Sequence, residues 1–265
     1  MKTRPRKRFG QNFLTDDSVI DRIVSAINPG SSDHIVEIGP GRGAITELLL
    51  RSGCQLDLIE IDRDLVALLQ QKLGKGLSIY SEDVLKFDFK KLESTRPIRV
   101  VGNLPYNIST PLLFKLFQYG ALFKDLLFML QLEVVNRLTA TPGGGNYGRL
   151  SIMSQYFCDA EKLFNVPREA FSPSPKVESA IVRLVPKKDK QIEVTNIKLL
   201  EQLLISAFSK RRKTIRNALG SYLSAEELEN LGLDTKLRPE NLDPTDFARC
   251  ANYLDKKHEA HSASQ

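Results

Sequence analysis

Asn103-Leu104-Pro105-Tyr106 brings an amide, a rigid proline and an aromatic ring together directly after the apolar run Ile98-Arg99-Val100-Val101-Gly102. The Asn103 side-chain oxygen can accept a hydrogen bond from an exocyclic NH2, and Pro105 fixes φ and donates nothing. Leu104, held extended by the proline that follows it, can turn its carbonyl to the same amine as a second acceptor, while Tyr106 offers a ring face for stacking. Two acceptors on one amine direct the nitrogen lone pair at an electrophile, so a planar amine such as a nucleobase edge could react without a strong base. The same residue types also build ordinary strand-to-helix turns, so the chemistry depends on what else converges on this stretch.

Three further stretches have the right form. His34-Ile35-Val36-Glu37-Ile38 stops at Gly39-Pro40-Gly41-Arg42-Gly43, and Ala44 to Leu50 continues with helical character. Strand, glycine-rich turn and helix is the nucleotide-binding order: the glycines let the backbone approach a ligand, and the helix N-terminus presents free N–H groups. Gln55 to Ile59 forms a second strand pattern closed by Glu60, at about the 20-residue offset where an acid takes the ribose hydroxyls of a nucleoside. A helix-capping or surface acid ahead of Asp62 and Asp64 is the alternative for Glu60. A third strand, Leu77 to Tyr80, leads to Asp83, which either takes a hydrogen bond from an adenine amino group or is a solvated loop acid beside Glu82 and Asp88. Gly39, Glu60, Asp83 and Asn103 therefore follow four successive strands, and in a parallel sheet such ends share one rim.

The elements that must hold this rim read as an α/β domain. Val19, Ile20, Ile23, Val24 and Ile27 recur at helical spacing behind Asp16 or Asp17 as N-cap, and Pro29-Gly30 ends that helix. The spacing predicts helices over 65–73, from Ser109 or Thr110, and over 133–139, with a buried strand over 124–132 and an alternating strand over 178–185. Gln11 to Leu14 shows neither period and reads as a loop, Thr141 to Gly148 as a mobile loop, and Leu150 to Phe157 as a helix or a buried strand. Phe171-Ser172-Pro173-Ser174-Pro175-Lys176-Val177 is a proline-stiffened loop; Phe171 either closes a stacking sandwich opposite Tyr106 or anchors in the core. Beyond the charged stretch Pro186 to Gln191 the pattern is all-helical, over 197–208, 214–223, 225–231 and from Asp243 or Thr245 to Leu254. Domains are thus expected at 1–187 and 188–265, with a polar tail from His258 to Gln265 that stays disordered.

Charge and composition narrow the partners. The 265 residues are 42% hydrophobic and 26% charged, enough for one large and one small domain, and Lys+Arg 38 against Asp+Glu 32 leaves a net charge of +6. Lys210, Arg211, Arg212, Lys213 and Arg216 form the densest basic cluster after the N-terminus, either a solvated helix face or a set of phosphate contacts. The basic N-terminus is followed by Phe9 to Asp17 where a secretory signal needs an apolar core, and Lys124 and Asp125 interrupt the most hydrophobic region, so neither secretion nor a membrane span is expected. Cys54, Cys158 and Cys250 are odd in number and far apart, which offers no disulfide framework and no CxxC metal site and points to the cytosol. With three histidines, two of them in the tail, neither a catalytic His nor a bound metal is expected.

Phe9-Gly10-Gln11-Asn12-Phe13-Leu14, Glu37 to Gly43, Asn103 to Asn107 and Phe171 to Val177 together resemble the ribosomal RNA adenine N6,N6-dimethyltransferases of the KsgA type, with similarity along essentially the whole chain. The first and last motifs are specific to that family and its near relatives; the glycine motif belongs to S-adenosylmethionine methyltransferases generally. The resemblance implies a Rossmann-like class I methyltransferase domain followed by a small all-helical RNA-binding domain. It implies S-adenosylmethionine as cofactor and two methyl transfers to N6 of each of two adjacent adenosines in the 3'-terminal hairpin loop of 16S rRNA. The expected setting is an assembling small subunit in the cytoplasm, with the enzyme acting as a monomer. Asn12 and Leu14 would close over the cofactor, Gly39 would lie against its amino acid part, Glu60 would hold the ribose and Asp83 the adenine. Asn103, the Leu104 carbonyl and Tyr106 would hold the target base, joined by Phe171, with Asn103 also touching the cofactor. Related alternatives are the antibiotic-resistance methyltransferase of large-subunit rRNA and a noncatalytic RNA-binding assembly factor. Gly39 to Ala44 also fits the G-x-G-x-x-A of a nicotinamide-dependent dehydrogenase, which would leave Asn103 to Tyr106 unexplained.

Overall fold

The computed structural model describes residues 6, 10–74, 77–92, 94–209 and 212–263, with the side chains of 261–263 excepted. The chain forms two compact units, one of residues 1–136 and 158–186 and the other of 137–157 and 187–265. A single cut at 187 therefore does not describe it: residues 137–157, on the N-terminal side of that cut, group with the second unit.

In the first unit a two-residue strand β1 (Phe13–Leu14) precedes α1 (Asp17–Ile27). Asp16 caps α1 by accepting from the Ser18 and Val19 N–H groups, and Asn28, at φ 48°, closes it with its own N–H on the Val24 carbonyl. The buried face of α1 is the expected one: Val19, Ile20, Ile23 and Ile27. Then come β2 (His34–Ile38), α2 (Thr46–Arg51), β3 (Gln55–Ile59), α3 (Arg63–Leu73), β4 (Ser78–Tyr80), β5 (Ile98–Asn103), α4 (Ser109–Phe117), β6 (Phe123–Gln131) and α5 (Leu132–Leu138). The later strands are β7 (Cys158–Val166), β8 (Phe171–Ser172) and β9 (Ser179–Pro186).

The main sheet has the order β4-β3-β2-β5-β6-β9-β7, parallel from β4 to β6 and reversed at β9. The chain starts near the middle at β2, moves out to β4, and crosses back to β5 on the other side of β2. That reversal puts the topological switch point between β2 and β5, where the carboxyl ends of open α/β sheets leave a crevice for ligands. All five residues of β2 are buried, as expected for a central parallel strand covered on both faces. Gly102 fits this close strand contact: a Cβ there would stand 2.5 Å from the Ile38 carbonyl oxygen on β2, so no side chain is tolerated.

Away from the strands' carboxyl ends, Arg99 on β5 ties the unit together. Its guanidinium donates to both Asp125 carboxylate oxygens at 2.8 and 2.9 Å, to Asp33 at 2.9 Å, and to the Ile27 and Asn28 carbonyls at the end of α1. Every buried donor is thereby matched, the condition under which a buried cation is tolerated.

One expectation fails in this unit, and one strand has no counterpart in the sequence pattern. Residues 13 and 14 form a strand that pairs antiparallel with β8 (Phe13 with Ser172, Leu14 with Phe171), which two residues cannot signal by periodicity because the partner lies more than 150 positions away. Nothing in the sequence pattern marked β7 either, since its exposed and buried residues do not alternate cleanly.

The second unit contains α6 (Arg149–Phe157), α7 (Ile197–Ser209), α8 (Ile215–Ala218), α9 (Ala225–Asn230) and α10 (Pro244–Ala263). α6 packs on α7 and α10, which is why residues 137–157 belong to this unit. Thr141 to Gly148 is anchored within it by the buried Tyr147 and by a Gly143 N–H bond to the Glu240 carbonyl. The helix expected over 214–223 ends at Ala218. Gly220 follows, and Ser224 opens α9 with a capping box to Glu227. Of the tail expected to be disordered, residues 258–263 are instead the last part of α10, which runs to Ala263, and 264–265 lie outside the described residues. Lys257 on that helix pairs with Glu227 at 2.7 Å and holds its carboxyl down to about 2, and Glu259 and Ala260 favour helix in spite of the polar composition.

Candidate active site

The glycine turn after β2 holds its shape through backbone conformations that only glycine adopts easily: Gly39 has φ 67° and Gly41 φ 59°, and the Gly39 N–H donates to the Ile59 carbonyl at the end of β3. At the end of β3 the Glu60 N–H donates to the Tyr80 carbonyl on β4, and the Glu60 carboxylate accepts from the Asp62 N–H at 2.9 Å and the Gly41 N–H at 3.3 Å. Glu60 thus braces the glycine turn as well as facing the cavity. Burial, the largest influence, raises its carboxyl above the ordinary value despite those two N–H groups. After β4, Asp83 accepts from the Leu85 N–H at 2.9 Å through one oxygen, and among the described residues no donor bonds its second oxygen, which is open to a ligand.

At the end of β5, Asn103 donates through Nδ2 to the Asn12 carbonyl at 3.0 Å. With the NH2 group so engaged, Oδ1 is the acceptor offered to a substrate. The Leu104 N–H is bonded to the Met129 carbonyl and its side chain is 1% exposed, so the residue acts through its backbone. Among the described residues no donor bonds its carbonyl, which remains a second acceptor. Tyr106 is half-buried; its hydroxyl lies 2.9 Å from the Ser179 hydroxyl and its carbonyl accepts from Ser109 Oγ at 2.9 Å.

These strand ends enclose a cavity of about 310 Å³. Asn12, Leu14, Gly39, Glu60, Asp83, Asn103, Leu104 and Tyr106 all line it, so the eight expected cofactor and base contacts come together. Phe171 does not line it. Its backbone pairs with Leu14, and its ring, 5% exposed, packs in the core with Ala170 and Ile181, because the β1–β8 pairing turns that face of the strand inward. Of the two roles open to Phe171, it takes the core anchor and not the stacking partner of a base.

A lining residue given no role from sequence is Glu37, 3% exposed on β2. Its carboxylate accepts from Thr46 Oγ1 at 2.6 Å; burial drives it up to about 7, Thr46 pulls it back, and the Glu60 charge adds a smaller push upward. The only sequence signal was an acid inside an otherwise apolar strand, which has no other reason to be there.

The donor and acceptor set fits S-adenosylmethionine. Glu60 and the second Asp83 oxygen match the ribose hydroxyls and the adenine amine, and Ile38, Ile61 and Val84 supply apolar wall. A Cβ on Gly39 would stand 3.7 Å from the Asn103 carbonyl oxygen, so the glycine turn and the loop after β5 approach each other closely at the cavity.

The family model described as "Ribosomal RNA adenine dimethylase" matches residues 2–256. The chain belongs to the ribosomal RNA adenine dimethylase family. It is accordingly an S-adenosylmethionine-dependent enzyme acting on ribosomal RNA, and the dehydrogenase and noncatalytic alternatives fall away. Within this family it is 55% identical to the "Ribosomal RNA small subunit methyltransferase A" of Pseudomonas aeruginosa over 95% of each chain. It is 53% identical to the protein of the same name from Marinobacter nauticus, over 94% of this chain and 91% of that one. Among solved structures it is similar to a dimethyladenosine transferase from Plasmodium falciparum (TM-score 0.77, 30% identity, 93% of this chain and 98% of that one). It is also similar to the 23S rRNA methyltransferase ErmE (TM-score 0.69, 25% identity, 92% and 100%). The adenine dimethylase fold is the Rossmann-like one expected. Among the described residues no helix is long and apolar enough to cross a membrane, and no group of three or more His, Cys, Asp or Glu could hold a metal ion.

Proposed function

We propose that this enzyme dimethylates N6 of two adjacent adenosines in the 3'-terminal hairpin loop of 16S rRNA, acting as a monomer on an assembling small subunit in the cytoplasm. The observation that carries the reading is the convergence of four strand ends on one cavity, with cofactor-type acceptors on β3 and β4 and base-type acceptors after β5. The choice of small-subunit RNA is supported by identity: 53–55% to relatives named for the small subunit, against 25% to the 23S enzyme.

S-adenosylmethionine supplies a methyl group on a sulfonium, an electrophile that needs no activation by the protein. Gly39 and Glu37 would face its amino acid part, Glu60 would hold its ribose and Asp83 its adenine. Asn103 Oδ1 and the Leu104 carbonyl each accept one N–H of the target amine, which orients the nitrogen lone pair at the methyl carbon, and Tyr106 stacks on the base. The methylated nitrogen is cationic and sheds one proton to solvent after the first transfer; one N–H then remains, so one acceptor suffices to hold the amine for the second. The base must be unpaired or turned out of its helix to reach this pocket. Arg212, Lys213 and Arg216, all exposed, grip RNA phosphates; Lys210 and Arg211, expected to join them, lie outside the described residues.

The test is transfer of labelled methyl groups to small subunits lacking the modification, with the product mapped by nuclease digestion and mass spectrometry. Two dimethyladenosines side by side near the 3' end are expected. Label in large-subunit RNA, or in neither, would overturn the reading.

A further inference from the structure

Ser179, the first residue of β9, is fully buried and far in sequence from the motifs that build the site, yet its hydroxyl lies 2.9 Å from the Tyr106 hydroxyl. Its position is fixed on both sides: Ser179 is the Cα partner of Gln131 on β6 and of Val166 on β7, in the middle of three adjacent strands. Next to it the Leu132 N–H donates to the Glu178 carbonyl, extending the same ladder. A polar side chain at such a position needs a partner, and the phenol is the one it has.

Tyr106, in contrast, sits in a loop between β5 and α4, where a ring attached only through Cα would be free to turn about its side-chain bonds. It is held at both ends. Ser109 Oγ, buried at the start of α4, donates to the Tyr106 carbonyl at 2.9 Å, and Ser179 takes the far end of the ring. We propose that Ser179 is a positioning residue for base capture: by binding the Tyr106 hydroxyl it fixes the ring plane against which the target adenine stacks.

The proposal rests on the reading of Tyr106 as the stacking surface. Stacking on an ordered ring costs less than stacking on one that must first be immobilised, so the anchor acts on capture of the base and not on the cofactor. It also gives the phenol a purpose unrelated to proton transfer, in keeping with an amine nucleophile that needs no base. Two aliphatic neighbours would serve a structural role at Ser179 equally well; a hydroxyl matched to a hydroxyl is needed only if the ring's orientation matters.

The experiment is a double-mutant cycle with Ser179→Ala, Tyr106→Phe and both together, read as kcat/KM for unmodified small subunits and as S-adenosylmethionine affinity by calorimetry. Each single variant should lower kcat/KM by about threefold to tenfold, the range of one net hydrogen bond, with cofactor affinity unchanged, and the double variant should be no worse than the poorer single one. Multiplying losses would show that the two hydroxyls act separately and overturn the proposal, as would wild-type kcat/KM in Ser179→Ala. Tyr106→Phe removes the same bond from a half-buried loop position, so it decides the matter alone should Ser179→Ala not fold: undiminished kcat/KM in that variant also overturns the proposal. If the wild-type enzyme itself left small-subunit RNA unmodified, the broader functional reading would fail; an active wild type with an additive cycle would sink only the role of Ser179.

Discussion

Glu60 carries two jobs that can be separated by measurement. Its carboxylate braces the glycine turn through the Gly41 N–H and also faces the cavity where a ribose would sit. Glu60→Ala should weaken S-adenosylmethionine binding by about 1.5–3 kcal/mol, the range for hydrogen bonds to a charged group, measured by calorimetry. Glu60→Gln keeps the acceptor toward Gly41 and should lose less. Glu37 gives a pH signature instead. Its folded value of about 7 lies above the ordinary 4.5, so the ligand-free protein is most stable while Glu37 is protonated and loses stability as pH rises from about 4.5 through 7. Urea denaturation at pH 5 and pH 8 should show a loss on the order of 2–3 kcal/mol that shrinks in Glu37→Gln. An equal loss in the variant would assign the pH dependence to other groups.

The elements differ in how far their residues announce them. α1 and the strands β2, β3 and β5 were legible because each has a strong local pattern ending in a cap, a glycine turn or a proline. The strand-end acids were legible for the same reason, as polar residues at the point where apolar runs stop. What was not legible depended on distant partners. β1 exists only because Phe171 and Ser172 lie beside it; the same pairing commits the Phe171 ring to the core, which no local pattern could decide. Polarity suggests disorder from His258 onward, yet residues 258–263 continue α10, just beyond a Lys257 that has a partner in Glu227, 30 residues earlier. Gly102 carries no local signal beyond its place in an apolar strand, yet it sets the spacing between β2 and β5 at the switch point. Gly102→Ala would put a methyl 2.5 Å from a backbone oxygen, with no flexible side chain to give way. The expected cost is about 1–3 kcal/mol in urea denaturation, as for other overpacked sites, with activity lost in step because Asn103 follows directly. Unchanged stability would mean that the two strands separate freely.

At the scale of the whole molecule the proposed function divides the work: the net charge of +6 and the exposed Arg212, Lys213 and Arg216 would set RNA affinity, and the strand-end cavity would carry the chemistry. Replacing Arg212 and Arg216 with Gln should reduce the slope of log K against log salt for RNA binding by about one to two units, at ~0.7 to 0.9 per lost phosphate contact, and leave cofactor binding alone. An unchanged slope would make these residues a solvated surface. The central claim is that the loop after β5 aligns an amine whose nucleophilicity needs no base, and Asn103 tests it most directly. In single-turnover transfer from labelled S-adenosylmethionine to unmodified small subunits, with both reactants saturating, Asn103→Ala should be slower by about 10²-fold or more, while cofactor affinity by calorimetry changes far less. A rate close to wild type, with the variant folded and loaded with cofactor, would contradict it.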